Sequence, residues 1–178
     1  MAEIQSVAVI GAGTMGNGLA QSCAMVGLTV GLVDTEERFL QRALDNVKTS
    51  LARFVRSQKL SQEQADASFA RIHPSTALPD AVANADIVIE VVPELIELKQ
   101  AVFRQLAKAA KPGTVLATNT SQLSITAIAS AVDQAAHRAE TSPDAGSASR
   151  APLSPDQGDA GQRSTDDRGD REHVPAWQ

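Results

Sequence analysis

The chain has 178 residues, a net charge of −5 and an isoelectric point near 5.2, which allows one domain of ordinary size plus an appendage. Mild acidity, with no basic stripe interleaved with aromatics, argues against a nucleic-acid-binding class, and Cys23, the single cysteine, excludes an internal disulfide. The start of the chain lacks the basic and apolar regions of a signal peptide, and Glu90 interrupts the best apolar run, so a soluble cytoplasmic protein is expected.

Residues 4–10 form an apolar, β-branched run that predicts a strand, and Gly11-Ala12-Gly13-Thr14-Met15-Gly16 follows it directly. A glycine at 11 allows the tight turn out of the strand, one at 13 lets main chain approach a phosphate, and one at 16 lets a helix pack close to the sheet. Met15, Leu19, Cys23 and Val26 then recur at helical spacing as the expected inward stripe, and Gly27 ends the helix. Residues 28–33 predict a second strand with Asp34 at its end, where a carboxylate accepts both hydroxyls of a ribose. This order of strand, glycine turn, helix, strand and acid is the fingerprint of a dinucleotide site. The negative charge at Asp34, reinforced by Glu36 and Glu37, favours NAD over the additional phosphate of NADP.

The next helix is expected from a cap at Thr35, with Phe39 or Leu40, Ala43, Leu44, Val47, Leu51 and Phe54 inward and Lys48, Arg53, Arg56 and Lys59 on the other side. Taken alone, that basic face is a solvated one. Leu60-Ser61-Gln62-Glu63-Gln64 reads as a staple and capping box opening a further short helix. Residues 71–74 predict a short strand, with Pro74 blocking a helix and His73 structural; residues 80–85 predict a short helix. Residues 86–92 are the clearest buried strand after the first. A helix over 94–110 follows, with Leu95, Leu98, Val102 and Leu106 on one side, then a strand over 114–118. Asn119-Thr120-Ser121 stands at that strand's carboxyl end, and Ser124 caps a last short helix over 125–129. The alternation predicts an α/β Rossmann-type, doubly wound, mostly parallel sheet over residues 1–131. The composition of residues 132–178, rich in Ala, Ser, Asp, Gly, Pro, Gln and Arg, predicts a disordered tail.

Three segments together resemble the amino-terminal domain of the NAD-dependent 3-hydroxyacyl-CoA dehydrogenases, including the 3-hydroxybutyryl-CoA dehydrogenases. They are residues 11–21, residues 86–90, and Leu116-Ala117-Thr118-Asn119-Thr120-Ser121-Gln122-Leu123-Ser124-Ile125, the last being the most specific. The resemblance implies that residues 11–16 and Asp34 hold NAD, and that Glu94, Lys99 and Asn119 lie toward its nicotinamide side. It implies that Ser121 hydrogen-bonds the substrate oxygen. It also implies that Ser50 touches coenzyme A, with Arg53, Arg56 and Lys59 near its phosphates. On the residues alone, the preferred readings are Glu94 as a first-turn acid, Lys99 as a surface lysine and Ser121 as a loop hydroxyl.

The family's reaction, in fatty-acid or butanoate metabolism, passes hydride from the 3-hydroxyl carbon to NAD while a histidine takes the hydroxyl proton. That histidine belongs to a His-Phe-Phe-Asn-Pro segment about twenty residues beyond the serine. Here Ala139-Glu140-Thr141-Ser142-Pro143 stands in its place, and neither His137 nor His173 has the flanking residues. The orienting glutamate and the helical domain through which the family dimerises are not matched either, so a truncated or frameshifted chain is expected, one that binds NAD at best weakly and turns over acyl-CoA poorly or not at all. No metal site is expected. A non-catalytic NAD-binding module whose tail recruits a partner is the alternative. A third reading, the 6-phosphogluconate or hydroxyisobutyrate dehydrogenases, conflicts with Asn119-Thr120-Ser121.

Overall fold

The computed structural model describes residues 4–132, and the expected disordered tail from 133 onward lies outside them. Val132, which the sequence reading assigns to the tail, is buried in the core. Five parallel strands, β1 (Ser6–Ile10), β2 (Thr29–Val33), β3 (Ile72–Ser75), β4 (Ile87–Glu90) and β5 (Val115–Thr118), form one sheet in the order β3-β2-β1-β4-β5. The helices are α1 (Thr14–Met25), α2 (Glu37–Arg56), α3 (Gln62–Ala70), α4 (Leu78–Val82), α5 (Ile96–Ala109) and α6 (Ile125–Ala129). Right-handed crossovers change direction after β3, so the two sets of helices fall on opposite faces.

Each face has its own core. Val7, Val9, Val30, Leu32 and Ile72 pack against α1, α2 and α3; Ala8, Ile10, Val33, Val88 and Leu116 pack against α4, α5 and α6. Alternate residues of one strand therefore serve different cores, which is why these strands read as continuous apolar runs. The edge strand β3 accommodates Pro74 opposite Leu32.

Two expectations are corrected. The buried residues of α1 are Gly16, Ala20 and Ala24, whereas Met15 is 59% exposed and Val26 77% exposed. Small residues face inward because the helix lies close against β1. Cys23 is half-buried against the α1–α3 core, and burial pushes its thiol pKa up, which disfavours the reactive thiolate. Helix α2 begins at Glu37 with Glu36 in the capping position, because Thr35 directs its own N–H and hydroxyl to Asp34. The expected capping box of α3 is present: the Gln64 N–H donates to Ser61 Oγ (3.1 Å) and the Ser61 N–H to Gln64 Oε1 (2.9 Å).

At the amino ends of the strands, Asp86 ties β1, β4 and the approach to β5 together. Its carboxylate accepts from Lys111 Nζ (2.7 Å), the N–H groups of Gln5 (2.9 Å) and Ser6 (3.0 Å), and the Ser6 hydroxyl (3.0 Å). The Lys111 ammonium first, then the two N–H groups, hold this carboxyl well below the usual carboxylate range. A carboxyl with a depressed folded-state pKa adds stability above its unfolded value near 3.9, and that stability is lost as pH falls from about 5. Asp86→Asn is accordingly expected to flatten the acid limb of stability. Urea midpoints between about pH 3 and pH 7 test this; equal slopes in both proteins would count against it.

Candidate functional site

The carboxyl ends of β1, β2, β4 and β5 open onto one edge of the sheet, where α/β folds of this winding place ligands. The chain leaves β1 through Gly11, whose φ of +111° belongs to glycine, and whose N–H donates to Val33 O (2.7 Å). A Cβ at Gly11 would stand 2.9 Å from Val91 O; one at Gly16 would stand 1.8 Å from Gly11 O. These glycines allow α1 to begin immediately beside β1 and β4. Gly13 occupies the capping position of α1, no side chain caps the helix start, and no acidic residue lies in its first turn. A helix start of that kind favours an anion. Gly13, Thr14 and Met15 are exposed there, while Ala12 is buried.

Asp34 closes β2 next to this turn and is only 5% exposed. Its Oδ2 accepts from the Ala12 N–H (2.8 Å) and its Oδ1 from the Thr35 N–H (2.7 Å), so the acid is locked against the glycine turn. Of the nearby acids expected to repel a further phosphate, Glu36 is paired with Arg38 at 2.8 Å, which offsets its charge. The turn and the acid together fit the pyrophosphate and adenine ribose of a dinucleotide.

The other half of the edge is built on two fully buried charges, Glu90 at the end of β4 and Lys99 on α5. Lys99 Nζ donates to Glu90 Oε1 (2.8 Å) and Oε2 (3.0 Å), to Val92 O (3.2 Å) and to Asn119 O (3.2 Å), and lies 3.4 Å from Glu94 Oε2. Glu90 also accepts from the Thr118 hydroxyl (2.6 Å) and the Val92 N–H (2.6 Å). Burial raises the Glu90 pKa, against the lowering by Lys99, Thr118 and Val92. Lys99 is therefore a core residue, and the surface-lysine reading is wrong. Removing one member of such a pair costs about 3–5 kcal/mol, because the other is left charged and alone.

Glu94 holds the loop after β5. Its Oε1 accepts from the Thr120 hydroxyl and from the Gln122 N–H (3.4 Å), on either side of the exposed Ser121. Burial raises the Glu94 pKa, but Thr120, the Lys99 charge and Gln122 outweigh it, and the net shift is downward. Asn119 is exposed on the same loop, with its N–H on Glu90 O (2.8 Å).

Structure thus brings residues 11–16, Asp34, Glu94, Lys99, Asn119 and Ser121 to one edge. The other expected group lies elsewhere: Ser50, half-buried, and Arg53 and Arg56, exposed, are on the far half of α2, with the exposed Lys59 just beyond it. At 1.5 Å per residue, Arg53 is about 24 Å along the axis from the start of α2. Sequence reasoning missed Glu90 as a site residue: it entered as an interruption of an apolar run and as the end of the matching segment 86–90, with no role of its own. A carboxylate inside an otherwise apolar β4, nine residues before Lys99, was the available signal.

The 3-hydroxyacyl-CoA dehydrogenase NAD-binding domain matches residues 6–141. The chain is 44% identical over 132 residues to the 3-hydroxyadipyl-CoA dehydrogenase of Escherichia coli K12, covering 74% of this chain and 28% of that protein. It is 37% identical over 133 residues to the 3-hydroxybutyryl-CoA dehydrogenase of Bradyrhizobium diazoefficiens, covering 75% of this chain and 45% of that protein. Among solved structures, it is similar to the (S)-3-hydroxybutyryl-CoA dehydrogenase of Ralstonia eutropha, with a TM-score of 0.72 and 38% identity over 75% of this chain and 47% of that one. The chain therefore spans less than half the length of these relatives. Among the described residues, no helix is long and apolar enough to cross a membrane.

Proposed function

The chain belongs to the 3-hydroxyacyl-CoA dehydrogenase family through its NAD-binding domain, and on that footing we propose that it forms the cofactor half of an oxidoreductase acting on 3-hydroxyacyl-CoA, with 3-hydroxybutyryl-CoA as a representative substrate. The observation that carries this reading is the convergence of the glycine turn, Asp34 and the Glu94-held loop on one sheet edge. NAD supplies the hydride acceptor. The first N–H groups of α1 face its pyrophosphate, and Asp34 accepts the ribose hydroxyls. Glu94, Lys99 and Asn119 shape the nicotinamide side. Ser121, held between Thr120 and Gln122, donates to the oxygen on the carbon that loses or gains hydride.

Coenzyme A is assigned to Ser50 with Arg53, Arg56 and Lys59, whose cationic side chains suit its phosphates. This group serves an extended ligand, since it stands well away from the strand ends. The family reaction also needs a base for the hydroxyl proton, a group that typically contributes about a hundred- to ten-thousand-fold in rate. These 178 residues contain no His-Phe-Phe-Asn-Pro segment. The 178-residue polypeptide is therefore expected to bind NAD and to reduce acetoacetyl-CoA with NADH at least about a hundredfold more slowly than a complete family member.

Calorimetric titration with NAD and NADP tests the cofactor assignment, and tighter binding of NAD is expected. Preference for NADP would overturn the role given to Asp34. A family-typical rate of acetoacetyl-CoA reduction would overturn the low-activity reading.

A further inference from the structure

The strand order reverses between β1 and β4, and a dinucleotide straddles that point with its adenine half over one set of strand ends and its other half over the opposite set. The glycine turn and Asp34 belong to the β1–β2 side. The ends of β4 and β5, with the Glu90–Lys99 pair beneath them, belong to the nicotinamide side. We infer that Glu90 is a positioning residue for the nicotinamide half of the site, acting through Lys99 on Glu94 and on the main chain at Val92 and Asn119. The inference rests on the NAD reading above.

Stability alone does not account for this pair. Two opposite charges enclosed in a core gain little over well-packed apolar side chains of similar volume. Directed hydrogen bonds achieve what apolar packing cannot, namely fixing several main-chain segments at one point. The Lys99 ammonium draws together the Val92 carbonyl after β4, the Asn119 carbonyl after β5 and the Glu94 carboxylate. Glu90 sets where that ammonium sits, and its remaining capacity is taken by Thr118 and the Val92 N–H. Once Glu90 loses its charge, Glu94 is the only carboxylate still within 4 Å of Lys99 among the described residues. The ammonium then shifts toward Glu94 and competes with the Thr120 hydroxyl and Gln122 N–H for it. The loop carrying Ser121 loosens, while Asp34 keeps its own partners at Ala12 and Thr35.

The test compares NAD with ADP-ribose, which lacks only the nicotinamide, by calorimetric titration of the 178-residue chain. For Glu90→Gln, NAD is expected to bind about tenfold more weakly, with ADP-ribose changed by less than about twofold. The double substitution Glu90→Leu with Lys99→Met removes both charges. It is expected to recover thermal stability relative to Glu90→Gln while NAD binding stays weak, an outcome that a purely structural pair would not produce. Should Glu90→Gln fail to fold, Thr118→Val, which removes one hydrogen bond to Glu90 and leaves the ion pair, carries the same comparison with a smaller loss of NAD affinity. Equal losses for NAD and ADP-ribose, or restored NAD binding in the double variant, overturn the inference. A wild-type chain that binds neither ligand overturns the underlying cofactor reading, and the inference with it.

Discussion

Gly16→Ala is expected to eliminate measurable NAD binding. An added Cβ would lie 1.8 Å from the Gly11 carbonyl oxygen, 2.9 Å from its carbonyl carbon and 3.1 Å from Val91 Cγ2. The two nearest atoms are main chain in a turn with positive φ, so neither can swing aside as a side-chain tip would. Helix α1 must retreat from β1, and its first N–H groups move away from the position proposed for the pyrophosphate. Overpacking of this kind typically costs about 1–3 kcal/mol of stability. Gly18→Ala is the internal control, because nothing lies within 4 Å of a Cβ there and α1 is already formed around it. That substitution is expected to add about 0.8–1 kcal/mol through helix propensity. Calorimetry with NAD and urea unfolding of both variants measure the contrast. Wild-type affinity in Gly16→Ala would show that close packing at this position is not what makes the site.

Asp34→Asn has the second largest expected effect, a fall in NAD affinity of about ten- to a hundredfold. The carboxylate receives one N–H on each oxygen, from Ala12 and from Thr35, and in the proposed cofactor assignment it also accepts the ribose hydroxyls. An amide has one oxygen, so its own NH2 must confront one of these donors and open the contact between the glycine turn and β2. The negative charge disappears as well, so NADP loses less than NAD and the ratio of the two affinities narrows. Titration of both cofactors checks this. An unchanged ratio would remove Asp34 from the ribose.

Much of the fold was legible because the informative signals were local and chemically specific. Gly11 requires its turn and Gly16 its close approach to main chain, Asp34 brings a charge to the end of β2, and alternating strands and helices allow few windings. Inward faces were harder to read. Periodicity of large apolar residues selected Met15 and Val26 for the inner face of α1, but contact with β1 leaves room only for Gly16, Ala20 and Ala24. The i, i+4, i+8 spacing of those small residues was present and outweighed by side-chain size. Thr35 looked like a helix cap because its hydroxyl can accept an N–H, but the stronger acceptor beside it, Asp34, took both its groups. Lys99 and Glu90 were hidden for a related reason. A buried ion pair is a relation between β4 and α5, and neither residue signals alone that the other neutralises it.

Strand β3 bears on how this molecule behaves when crowded. The N–H groups of Val30 and Asp34 donate to the carbonyls of Arg71 and Ser75, so the main-chain groups of those residues turn toward β2 and those of Ile72 and Pro74 turn outward. Pro74 therefore puts a residue without an N–H on the rim of the sheet, where a neighbouring molecule would look for a donor. Strand addition is disfavoured on this border, because the rim lacks a donor at Pro74.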